Sequence, residues 1–221
     1  HRRRPRLLAI SRLIERTPPA PEPPGPSWSH HVPLLDLDPA VTLAPRAARI
    51  DRLIRSILAD PKGLDLAALE SVAERSARQQ APAAPPRLVA EALDRLAPWV
   101  AGPLAREIAR AAEVRRTIAW SIAWPRVGPV PTVTRGVIDF AYRDRRGGWR
   151  LVTLAGAAAS EPRERLRLLL SAVAARELGI EPILQGWSVR LGPGGGLHGE
   201  EDFSDEAIDR SFQQLIDSID S

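Results

Sequence analysis

The sequence predicts an α+β domain in which a helical half precedes strands and a helix in the order β-β-β-α-β, with a further helix closing the chain. Three observations predict it. Apolar residues recur at helical spacing from residue 45 to residue 113. The period then drops to two in the segment TIAWSIAW, residues 117–124. A strongly helical stretch, residues 161–178, finally separates a strand hairpin from a last strand.

The first 44 residues form a segment of their own. Residues 7–15 (LLAISRLIE) have the spacing of a helix start. Residues 17–26 hold six prolines and read as an extended linker. Residues 27–42 read as irregular.

Residues 45–114 make the helical part. Ala47, Ile50, Leu53, Ile54 and Ile57 share one face, and Arg46, Arg49, Arg52 and Arg55 lie largely on the other. Asp60-Pro61-Lys62-Gly63 ends this helix. Further helices are expected over residues 65–78, 87–96 and 103–113, with a Pro/Ala linker at 81–86.

Residues 115–221 make the β-β-β-α-β-α part. Ile118, Trp120, Ile122 and Trp124 line one side of the first strand. Residues 133–142 (VTRGVIDFAY) and 149–154 (WRLVTL) are the next two strands, joined by the turn RDRRGG. The helix 161–178 turns Leu166, Leu169, Leu170 and Val173 inward. Residues 183–191 are the fourth strand and 192–199 a loop. Ser204, followed by Asp205 and Glu206, starts the last helix.

Composition removes several functions. The 221 residues contain no Cys, which excludes disulfides, thiolate metal sites and cysteine nucleophiles. The chain has no Met and reads as a piece of a longer polypeptide. No apolar run is long enough to cross a bilayer and no leader is visible, so a cytoplasmic protein with no membrane partner is expected. Of the 31 basic residues only Lys62 is a lysine, so any lysine chemistry must use it. Residues 200–221 carry a net charge of −7 and the first 199 residues +11. An Arg-rich body suits a polyanion; it also suits nothing more than solubility.

The familiar motifs are absent. Gly192-Pro193-Gly194-Gly195-Gly196 lacks the Lys and Ser/Thr of a phosphate loop. His30, His31 and His198 have no zinc-hydrolase spacing, and no Gly-x-Ser-x-Gly elbow occurs. The six Trp fall mostly on apolar faces and read as core.

The informative stretch is residues 135–156, RGVIDFAYRDRRGGWRLVTLAG. An acid on one strand, a tight turn, and a strand ending in acid-x-Lys would hold Mg²⁺ and orient water. Asp139 supplies the first acid; Thr153 and Ala155 stand where the acid and Lys would be. With Gly136-Val137-Ile138-Asp139 and the order of elements over residues 45–217, the chain resembles the RecB/AddA-type nuclease domain of the PD-(D/E)XK superfamily. That domain lies at the C-terminal end of UvrD-family DNA helicases.

The resemblance implies a restriction-endonuclease-like core and a DNA substrate. It also locates the departures. Asp51 stands at the family's motif His, and Thr117 at its first Glu. Thr153 and Ala155 replace the acid and Lys of Asp-Tyr-Lys, and Arg167 and Ser171 replace the helix Gln and Tyr. Asp139 alone remains, and a single carboxylate holds Mg²⁺ poorly. The expectation is a nuclease-like domain without catalysis, cofactor or metal, serving DNA recombination or repair. It would hold DNA, single-stranded by the family's architecture, or brace the helicase domains of the same polypeptide or of a partner subunit. Arg143, Arg145, Arg146, Arg163 and Arg167 are the expected DNA contacts, since a guanidinium fits phosphate bidentately. Two alternatives stay open. One is a protein-interaction module docking through the Pro-rich strap and the acidic last helix. The other is an active Mg²⁺-dependent exonuclease with a rearranged site, in which Lys62, Arg163 or Arg167 replaces the lysine.

Overall fold

The computed structural model describes residues 34–36, 45–80, 83–124, 132–145, 147–155, 161–192 and 195–219. The chain divides into two compact units, His1–His31 and Val32–Ser221. The expected helix at 7–15 and the proline tract lie outside the described residues. Within the second unit the helical and stranded parts belong together.

Among the described residues four helices precede the long strands: α1 (Pro45–Ala59), α2 (Leu69–Gln79), α3 (Pro86–Val100) and α4 (Pro103–Ala109). Three of them open on proline, whose fixed φ suits the first helical position and whose missing N–H is no loss there. A 3-10 turn, Pro61–Leu64, follows α1; the Asp60 carboxylate accepts from the Lys62 amide at 2.9 Å. Helix α3 runs four residues past its expected end, carrying Pro98 inside it.

The strands are β1 (Leu34–Asp36), β2 (Glu113–Trp124), β3 (Thr132–Arg143), β4 (Trp149–Ala155), β5 (Ile183–Arg190) and β6 (Leu197–Glu200). The expected β-β-β-α-β order is β2-β3-β4-α5-β5, with α5 spanning Glu161–Glu177. Two expectations are corrected. A strand, β1, lies inside the stretch read as irregular, and β6 occupies the end of the stretch read as a loop. Both are short pieces completed by pairing with a neighbour, a signal that residue periodicity does not carry.

The result is a six-stranded mixed sheet with the order β1-β3-β4-β5-β6 and β2 on β3. Strands β1 and β3, and β4 and β5, are parallel; the other pairs are antiparallel. Because β2 pairs along the whole of β3, β1 and β4 share the opposite edge of β3.

The sheet is covered on both faces. Helices α1–α4 pack with Phe140, Tyr142, Val152, Leu154 and Val189. Helix α5 and α6 (Asp205–Ile219) pack with Trp120, Ile138, Ala141, Trp149 and Leu151. Helix α5 lies between the sheet and α6, so nearly every residue from Glu164 to Ala175 is buried. Its end is closed by Gly179 at φ +72, with the Ile180 amide donating to Ala175 O at 2.9 Å. Ser204 caps α6 as expected, its hydroxyl accepting from the Ala207 amide.

One irregularity positions the candidate site. The β2/β3 register skips the pair Thr117 and Asp139, and Thr117 has φ +53. Side chains change layers there: Val114, Phe140 and Tyr142 face the helical half, whereas Ile118, Trp120 and Ile138 face α5. A β-branched residue at positive φ costs about 1–3 kcal/mol, and the burial gained on both sides of the flip offsets it.

Candidate functional site

The polar residues expected at the site converge around the Leu154 peptide. Asp139, from the flipped position on β3, is 4% exposed at its side chain. Its Oδ2 accepts a 2.7 Å hydrogen bond from the Leu154 amide. The opposite end of the same residue, Leu154 O, accepts at 2.6 Å from Arg167 Nη2 on α5. Arg167 also pairs with Glu164 at 3.1 Å, and Ser188 Oγ on β5 donates to Glu164 at 3.5 Å.

From the helical side, Arg55 reaches the same carboxylate. Its Nε lies 3.1 Å from Asp51 Oδ2 and 3.6 Å from Asp139 Oδ1. Asp51 and Arg55 stand one turn apart on α1, so their pairing follows from helix geometry. The site therefore alternates charge: Asp51, Arg55, Asp139, the Leu154 peptide, Arg167 and Glu164.

The remaining expected positions flank this chain. Thr153 and Ala155, either side of Leu154, are buried, and Thr153 Oγ1 donates to Trp187 O at 3.5 Å. Ser171, one turn beyond Arg167, accepts from Trp120 Nε1 at 3.1 Å. Thr117 stands at the skipped pair opposite Asp139 and is exposed. Trp120 in turn lies against Gly136, where a Cβ would come within 2.6 Å of the ring. The Gly-Val-Ile-Asp stretch thus has packing work at its first residue and polar work at its last.

Two members were missed from sequence. Arg55 was grouped with the outward arginines of α1, and Glu164 was not singled out. Each has a local signal: an acid four residues before Arg55, and an arginine three residues after Glu164.

Not all of the expected DNA contacts reach the surface. Arg167 is fully buried and is corrected out of that set: its guanidinium is spent on Leu154 O and Glu164. Arg143 pairs with Glu113 at 3.3 Å and lies 5.7 Å over Trp149. Arg145 is exposed in the β3–β4 turn, and Arg163 is half-buried at the start of α5. Arg146 lies outside the described residues. Lys62 is exposed in the 3-10 turn, which packs on α1, α2 and α4. Among the described residues nothing joins it to Asp139.

The chemistry of this centre is limited by its cations. A guanidinium does not give up its proton, so neither arginine serves as a base. A hard divalent cation needs several oxygens of its own. Here one Asp139 oxygen faces a peptide N–H and the other faces Arg55. Among the described residues no group of three His, Asp or Glu is placed to hold a metal. The residues present do not fit Mg²⁺.

No family model and no curated protein matches the chain. Among solved structures, the crystal structure of SSO0001 shows 15% identity over 83% of this chain and 75% of that chain, with a TM-score of 0.37. A TM-score this low carries no argument. No described helix is long and apolar enough to cross a membrane.

Proposed function

We propose that this chain is a nuclease-like domain of RecB/AddA type that does not cut, and that serves a DNA recombination or repair protein by holding single-stranded DNA or bracing helicase domains. The observation that carries the reading is the position of Arg55. A nuclease of this type needs a divalent cation on the aspartate of Gly-Val-Ile-Asp. In this chain a fixed organic cation faces Asp139 at 3.6 Å, and the same cation binds Asp51 at 3.1 Å. Repulsion between that guanidinium and an incoming Mg²⁺ disfavours metal, and the mutual pairing keeps the acids folded inward.

The test is retention of labelled single-stranded DNA by the purified chain across a salt series. Weak binding that fades with salt, as counterion release demands, is expected. Undetectable or salt-insensitive binding at low ionic strength contradicts the nucleic-acid role. A second reading rests on α6, whose Asp205, Glu206 and Asp209 are exposed while Ala207 and Ile208 are buried. That acidic face suits a basic protein surface, and partner retention without DNA retention would favour it.

A further inference from the structure

A cleft of about 570 Å³ lies away from the Asp139 centre, between the C-terminal end of α4 and the β3–β4 turn. It is lined by Arg106, Glu107 and Arg110 on one side, and by Tyr142, Asp144 and Arg145 on the other. The two acids are already satisfied. Arg150 Nη1 donates to Glu107 at 3.0 Å and to Asp144 at 2.8 Å. The three arginines are exposed, and among the described residues none has an ion-pair or side-chain hydrogen-bond partner. Arg106 and Arg110 stand where cations complement a helix end, which would explain two of them. Arg145 comes from the opposite wall and has no such reason to be there.

The floor of the cleft gives the second, independent observation. Tyr142 is fully buried, and its hydroxyl, close to the Glu107 carboxylate, makes no hydrogen bond of ordinary length. Its ring is held in place by stacking on Trp187, with centroids 6.2 Å apart at 12°. Buried hydroxyls are almost always paired, so an orphan lining a cationic cleft points to a ligand acceptor. Burial, with the Glu107 carboxylate nearby, raises the phenol above its ordinary range. The hydroxyl is therefore a neutral donor at any working pH.

We propose that this cleft is an oxyanion site for phosphate esters, with Arg106, Arg110 and Arg145 supplying charge and Tyr142 the buried hydrogen bond. The volume suits a ligand of nucleotide size, within the roughly 300–1,000 Å³ of small-molecule sites. A phosphate of this kind comes either from a free ester or from a nucleic-acid backbone. Only the second source rests on the nuclease-like reading; the site itself stands without it.

The test is calorimetric titration of the purified chain with pyrophosphate, alongside anisotropy of a labelled oligothymidylate. The variants are Arg106→Gln/Arg110→Gln, Arg145→Gln and Tyr142→Phe, with Arg52→Gln as a control for net charge. The cleft variants should each weaken pyrophosphate at least about tenfold, as loss of a hydrogen bond to a charged group requires. Arg52→Gln should leave it unchanged. Tyr142→Phe keeps every charge, so its loss separates a built site from a diffuse cationic surface. Parallel loss of oligothymidylate assigns the site to a nucleic-acid backbone; retained oligothymidylate assigns it to a free ester. No pyrophosphate binding by the parent chain overturns the proposal. So does binding that the cleft variants leave intact, or that Arg52→Gln reduces equally.

Discussion

Arg55 on the first helix faces Asp139 on the third strand at 3.6 Å, across the point where the sheet exchanges one layer for the other. Both side chains are largely buried, and Arg55 also pairs with Asp51 at 3.1 Å, so removing the guanidinium takes one cation from two acids.

Arg55→Ala should therefore lower unfolding stability by about 3 kcal/mol. Because the two residues act through one contact, Asp139→Asn in the same chain should cost less than the sum of the single changes, with a coupling of about 1–3 kcal/mol. Urea unfolding of the four proteins measures it. Strict additivity would show that the pair is not coupled.

Gly136→Ala should destabilise by about 1–3 kcal/mol, because the added Cβ meets the Trp120 ring at 2.6 Å. Trp120 is held by Ser171 and has little room to retreat. Thermal denaturation is the check. A neutral effect would mean that the Gly-Val-Ile-Asp glycine has no packing role.

Arg167→Met should lower stability by about 3 kcal/mol, since Glu164 is left buried without its cation. Adding Glu164→Gln should recover part of the loss. The DNA affinity of the folded variant should match the parent, because no strand reaches a buried guanidinium. A selective loss of DNA binding in a stably folded Arg167→Met chain would restore Arg167 as a contact.

Asp60 gives a pH dependence. The Lys62 amide first, and Arg75 second, hold its carboxyl below the ordinary value of 3.8. The group thus contributes stability that is complete above the ordinary value and is lost as pH falls through the lower folded one. Asp60→Ala should melt below the parent at neutral pH, with the difference narrowing in strong acid. A difference that stays constant down to strong acid contradicts this.

The fold was legible where periodicity is strong. The change from helical spacing to alternation marks the start of the β-β-β-α-β order, and Ser204 marks the last helix. Strands β1 and β6 were not legible, because three or four residues carry no period and only their neighbours make them strands. At the site, Asp139 and the positions of Thr153 and Ala155 came from the strand-turn-strand pattern, and those of Arg167 and Ser171 from the family resemblance. Arg55 was not, because one face of α1 carries four arginines and only the flip at Thr117 decides which of them meets a strand. Arg167 looked like surface charge for the opposite reason. The middle of α5 is buried on nearly every side, so an arginine at position 167 has no surface to occupy.

On the proposed reading, Arg55 holds the place a catalytic cation would need at Asp139. Incubation of the purified chain with single- and double-stranded DNA in Mg²⁺ or Mn²⁺ tests it most directly. The expected result is intact DNA at every time point. Metal-dependent digestion that Asp139→Ala abolishes would contradict it.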